Sequence, residues 1–164
     1  MVSDNRHTIR AVVIVIIIAV LSVFLSHFVF PVVRINGAAL EPKWSDGDIL
    51  LLLDKNKYST GDLCCISLGN KILVRRVIGQ SGDKVEITDL GDVYINGELL
   101  DEPYVSDKGP AGTDTSLSLT VPEGSIFILC DDRENRYDSR DPDIGCVSQE
   151  LFIGKVLTKV WPLI

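Results

Sequence analysis

The chain has 164 residues and a formal charge of −7 at pH 7, with an isoelectric point near 4.7. That acidic balance excludes nucleic-acid binding, which needs a basic face to neutralise phosphates. No segment repeats with a period of about 20–50 residues, which excludes a solenoid or propeller, and no like-charged run is long enough for a disordered acidic tail.

Met1–Arg10 is polar and carries Arg6 and Arg10. Ala11–Phe30 is apolar except for Ser22, Ser26 and His27. As a helix it would span about 30 Å, the thickness of a bilayer's hydrocarbon core. The arginines on its short N-terminal side predict a cytoplasmic N-terminus by the positive-inside rule. The expected organisation is residues 1–10 cytoplasmic, 11–33 a single-pass membrane anchor, and 34–164 one extracytoplasmic domain at the cell membrane. A cleaved signal peptide is the competing reading, with Gly37-Ala38-Ala39 as the site. The apolar run exceeds the usual length of about 7–15 residues, however, and Arg34 intervenes.

From Gly47 onward the pattern is β. Strands are expected at Ile49–Leu53, Leu63–Leu68, Ile72–Ile78, Val85–Thr88, Val93–Ile95, Leu117–Val121, Ser125–Cys130 and Leu151–Trp161. Gly-Asp pairs at 47–48, 61–62, 82–83 and 91–92 separate several of them, and Asn96-Gly97 suits a tight hairpin. Many short strands with turn signals imply a mainly β fold, a sandwich or a coiled sheet or barrel. Asp101–Ser116 is expected to be an exposed loop or small excursion. The polar run Asp131–Asp143 alternates acids and arginines, which suggests a self-paired network.

The four cysteines are Cys64, Cys65, Cys130 and Cys146. They form no CxxC pair, and His7 and His27 precede the domain, so neither a metal site nor a cofactor is expected. Adjacent Cys64 and Cys65 should point to opposite faces of a strand, one inward and one outward. Cys130 and Cys146 could close a loop of roughly 16 residues as a disulfide, or both could be free thiols.

Several motifs, in order along the chain, resemble bacterial type I signal peptidases. Gly37-Ala38-Ala39-Leu40-Glu41-Pro42 is similar to that family's G-x-S-M-x-P box, and Val74-Arg75-Arg76-Val77-Ile78-Gly79 to its K-R-V-I-G strand. Tyr94-Ile95-Asn96-Gly97 is similar to its Y-x-N-G hairpin. Cys130-Asp131-Asp132-Arg133…Asp138-Ser139-Arg140 resembles its G-D-N-R…S-x-D-S-R box, and Gly154-Lys155-Val156 its terminal strand. The resemblance implies a mostly β domain at the outer membrane face that hydrolyses signal peptides. A serine attacks the scissile carbonyl there and a buried neutral lysine takes its proton.

Residue by residue, that chemistry does not carry over. Ala39 stands at the nucleophile and has no oxygen. Arg75 stands at the general base, and a guanidinium accepts no proton at working pH. Arg136 replaces the serine expected to orient the lysine, and Cys130 the glycine that opens the last box. Leu40 for methionine conserves volume. Gly37 and Pro42 keep the turn. Asp131, Arg133, Ser139 and the Asp138–Arg140 ion-pair spacing keep the structural box. Ser45 has no base in reach, and Lys71 lies about 13 Å along the strand from Arg75. A Cys130 thiolate, lowered by Arg75 and Arg136, is the remaining catalytic option; the plainer alternative is a buried cysteine.

The expected function is that of a membrane-anchored pseudoenzyme, a chaperone or assembly factor. It would bind an extended peptide of a secreted or pilin protein by strand addition, alongside a sortase as in the dyad-lacking pilus-assembly subgroup. The alternative is an active signal peptidase with an altered dyad. Arg75 and Arg136 are expected either to pair with Asp131, Asp132 or Asp138, or to hold a partner's carboxylate.

Overall fold

A computed structural model describes residues 2–29, 32–35, 47–53, 57–69, 71–106, 108 and 116–161. Helix α1 runs Val2–Val29, starting nine residues earlier than the apolar run and absorbing the polar residues before it. Its Val/Ile-rich stretch has modest helix propensity in water. Inside a bilayer, however, a helix is the way for one segment to satisfy its own backbone polar groups. Within it, Arg6–Phe24 has a mean hydropathy of 2.5, and none of it is buried in protein. By length and composition the helix can cross a membrane.

The expected strands are all present, with ends shifted by one residue at most: β2 Ile49–Leu53, β3 Leu63–Leu68, β4 Lys71–Gly79, β5 Lys84–Ile87, β6 Val93–Ile95, β8 Leu117–Thr120, β9 Ser125–Leu129 and β11 Phe152–Trp161. Three more were not expected: β1 Val32–Arg34, β7 Glu98–Leu99 and β10 Val147–Ser148. Strand β1 occupies the last residues assigned to the anchor, so the sheet begins within three residues of the end of α1. Among the described residues of 101–116 there is no strand, as expected.

A seven-stranded sheet has the order β1-β2-β11-β3-β4-β9-β10, and a four-stranded one the order β7-β6-β5-β8. Pairing within both is antiparallel. Register shifts along β11 against β2 and β3, and between β4 and β9 near Gly79, give the large sheet local bends where bulges add twist. The fold is mainly β, as the strand pattern implies.

Both faces of the large sheet are buried. One carries Val33, Leu50, Leu52, Cys65 and Val74; the other carries Tyr58, Cys64, Ile66, Val77 and Ile128. Cys64 and Cys65 do point to opposite faces, but both are fully buried, because each face has its own core. The expectation of one outward thiol is therefore corrected. A third core, of Ile78, Val85, Ile87, Val93, Phe127 and Leu129, joins the two sheets. There Gly79 lets them approach: a Cβ on it would lie 2.5 Å from Val85 Cγ2.

Candidate functional site

Strand β4 places Arg75 and Arg76 on opposite faces of the large sheet, by the period of two. Both are buried. Arg76 grips Asp131 in a two-pronged pair: Nε donates to Oδ1 at 2.7 Å and Nη2 to Oδ2. Its Nη1 donates to the Gly61 carbonyl at 2.8 Å, and its guanidinium lies 3.8 Å from the centre of the Tyr104 ring. Planar charge, fork geometry and aromatic stacking together use what arginine offers over lysine.

Arg75 is held differently. It is 3% exposed, its Nε donates to the Tyr137 carbonyl at 2.9 Å, and its Nη1 donates to the Val74 carbonyl at 2.6 Å. Neither partner is charged. Among the described residues no carboxylate forms an ion pair with it. The expected pairing of Arg75 with Asp131, Asp132 or Asp138 is not found. Asp131 faces Arg76 across the sheet, and Asp138 is used by its own loop.

That loop follows β9. Asp138 is fully buried, and its Oδ1 accepts from the backbone N and Nε of Arg140 at 3.0 and 2.9 Å. Its Oδ2 accepts from Cys130 N and from Arg140 Nη2, both at 2.8 Å. Arg140 also donates to the carbonyls of Arg133 and Asn135. Ser139 closes the loop against β9, exchanging bonds with Ile128: its Oγ accepts from Ile128 N at 2.9 Å, and its N donates to the Ile128 carbonyl at 3.0 Å. Arg136 is half-buried next to this turn, and its carbonyl accepts from Asp138 N at 2.7 Å.

The polar run is thus only partly self-paired. Asp138 and Arg140 pair within it, but Asp131 reaches Arg76, and Arg133 reaches Glu102. Glu102 lies in the segment expected to be an irregular surface loop, yet it is buried. Its Oε1 accepts from Arg133 Nη2 and, at 3.0 Å, from Tyr104 OH; Oε2 has no hydrogen-bond partner among the described residues. Burial and the nearby carboxylate push the Tyr104 phenol well above its ordinary value. Glu102 and Tyr104 gave no signal in sequence, because Glu-Pro-Tyr amid polar residues carries neither periodicity nor charge alternation. Asp62 and Lys155, a second pair linking the β3 start to β11, were missed for the same reason.

Burial works against a Cys130 thiolate. Burial pushes the thiol up to about 12; Arg75 pulls it down, Asp138 pushes it up, and desolvation wins. All four cysteines are free, so Cys130 and Cys146 form no disulfide. Lys71 does meet the site, though not Arg75 directly: its Nζ lies 5.0 Å over the ring of Tyr137, whose carbonyl binds Arg75.

Gly37, Ala39, Leu40 and Pro42 lie outside the described residues. On either side, Ile35 N donates to the Asp48 carbonyl at 2.8 Å and Gly47 N to the Ile35 carbonyl at 3.0 Å. Gly47 has φ +88°, a conformation that favours glycine. No group of His, Cys, Asp and Glu that could hold a metal occurs among the described residues.

A coiled antiparallel sheet with a buried basic pair on one strand, tied to an acid- and arginine-rich loop after the next strand, defines a signal-peptidase-type domain. The chain matches the model of the signal peptidase family, peptidase S26, over residues 6–161, and it belongs to that family. It is 30% identical to signal peptidase I of Bacillus licheniformis over 153 residues, covering 85% of this chain and 81% of that protein. It is also 30% identical to signal peptidase I T of Bacillus subtilis (strain 168) over 158 residues, covering 88% and 79%. Among solved structures, signal peptidase I from Enterococcus faecalis V583 superposes with a TM-score of 0.53 at 34% identity, covering 64% of this chain and all of that one.

Proposed function

We propose that this protein is a membrane-anchored member of the signal peptidase family that binds extended peptide segments of secreted proteins without cleaving them by a Ser–Lys dyad. The observation that carries the reading is Arg75. It is a buried guanidinium, fixed by two backbone carbonyls, at the position matching the family's proton acceptor. A proton acceptor must be neutral near pH 7, and arginine is not. Ala39, at the position matching the nucleophile, removes the second half of the reaction. The high thiol pKa of Cys130 leaves it a poor substitute. Helix α1 serves as the anchor, with Arg6 and Arg10 on the cytoplasmic side and the β domain outside. Peptides of pilus subunits, handled beside a sortase, are the narrower version of the same binding role.

The second reading is an active signal peptidase that works through other residues. It is favoured by the relatives, which are named as signal peptidase I. Purified full-length protein in detergent is assayed against a preprotein substrate, alongside the variant Ala39→Ser/Arg75→Lys/Cys130→Gly. Cleavage by the restored variant alone is the expected result. Turnover by the unaltered chain, surviving Cys130→Ala, would sink the binding reading.

A further inference from the structure

We infer that Arg75 is a carboxylate receptor, so that the peptides this protein holds present a free carboxylate to the old proton-acceptor position. The inference rests on the peptide-binding reading above and names what the ligand must carry.

The argument begins with a contrast among four arginines. Arg76, Arg133 and Arg140 each sit against a carboxylate: Asp131, Glu102 and Asp138. Arg75 is as buried as any of them, yet its partners among the described residues are two carbonyl oxygens. Two acceptors leave three of the guanidinium's five N–H groups for other partners. A buried cation facing only dipoles is less stable than one neutralised by an acid. The neighbouring acids are committed: both oxygens of Asp131 to Arg76, and both oxygens of Asp138 to Arg140, Cys130 N and Arg140 N. Among the described residues no acid pairs with Arg75, and the balancing charge comes from outside them.

Its surroundings fit an incoming anion. Tyr137, whose carbonyl fixes Arg75, is 37% exposed and marks the side of approach. Over its ring lies the exposed ammonium of Lys71, on the same face of β4 as Arg75. Two cations thus meet at Tyr137, one at its carbonyl and one over its ring, in a protein whose overall charge is −7. A planar fork matches a carboxylate in two-point contact, where a lysine would offer only a point charge. Carboxylate of this kind comes either from a peptide's C-terminus or from an aspartate or glutamate side chain.

The test uses the full-length protein in detergent micelles and a fluorescent apolar decapeptide ending in Ala-Gly-Ala, the small-x-small pattern at which signal peptides end. Affinities are compared for the free acid, the C-terminal amide, and an amide with aspartate as its last residue. Tighter binding of a carboxylate-bearing peptide over the plain amide, by about tenfold or more, is expected. That advantage should collapse in Arg75→Gln. The acid and the aspartyl amide decide between a chain terminus and a side chain. Should Arg75→Gln fail to fold, Arg75→Lys keeps the charge but loses the fork, and the advantage should shrink there by about threefold or more. Equal binding of all three peptides, or an advantage that survives Arg75→Gln, overturns the carboxylate receptor but leaves peptide binding standing. No binding of any peptide overturns both.

Discussion

Replacing Arg133 with methionine would strand Glu102. In the folded protein their side chains are 2% and 0% exposed, so neither charge has water to fall back on. Arg133 also donates Nε to the Cys130 carbonyl at 3.0 Å, and Glu102 Oε2 already lacks a partner among the described residues. Removing one member of a buried pair leaves the other uncompensated, at about 3–5 kcal/mol. Domains of this size are stable by only about 5–15 kcal/mol, so the single variant would lose a large share of its stability. The double variant Glu102→Met/Arg133→Met removes both charges and should recover most of that loss, because a buried pair is often no better than apolar side chains of like volume. The exposed pair Lys84–Glu86, 53% and 35% exposed, is the control and should contribute at most about 1 kcal/mol. Urea unfolding followed by circular dichroism gives the four corners of the cycle. A loss under about 1 kcal/mol for Arg133→Met, or a double variant losing the sum of the two singles, would refute the view that this pair ties the loop to the domain.

Arg75→Met removes a buried charge that no described acid balances, so its unfolding midpoint should be unchanged or raised; a marked fall would mean that Arg75 is neutralised within the fold. Gly79→Ala should cost about 1–3 kcal/mol, because the new Cβ would meet Val85 Cγ2 at 2.5 Å and Val121 Cγ2 at 3.2 Å; an unshifted melting temperature would show that the two sheets can separate there. Cys65 and Cys130 both have thiols raised by burial from 9.0 to about 12. Below pH 9 both states keep these protons; between 9 and 12 the unfolded chain releases them and the native one does not. Stability should therefore fall with rising pH across that window, and less steeply in Cys130→Ala than in the unaltered protein. Identical slopes would contradict the burial.

How legible the molecule was in its sequence depended on the range of the interactions. Strand positions such as Ile49–Leu53 and Leu63–Leu68 follow from short local apolar runs beside Gly-Asp turns. Strands β1, β7 and β10 were too short to show a period, and β1 was hidden in an apolar run already accounted for by the anchor. In the site, Asp138–Arg140 could be read because the partners are two residues apart. Arg76–Asp131 and Arg133–Glu102 could not, since 55 and 31 residues separate them and only the sheet order brings them together. Cys64 and Cys65 failed in a different way: alternation gave their directions correctly, but no single strand reveals that both faces of its sheet are covered.

The junction between α1 and β1 has a mechanical consequence. Only residues 30 and 31 lie between Val29 and Val32, and three residue steps span at most about 10 Å of extended chain. Among the described residues, strand β1 is the sheet's edge and pairs with β2 alone, through Val32–Leu51, Val33–Leu50 and Arg34–Ile49. With α1 in a bilayer, the domain cannot range through the space above it as a body on a flexible tether would. A tilt or displacement of the helix acts on β1 within one short link. The force loads the few hydrogen bonds of the β1–β2 ladder first, making that edge the element most exposed to motion of the anchor.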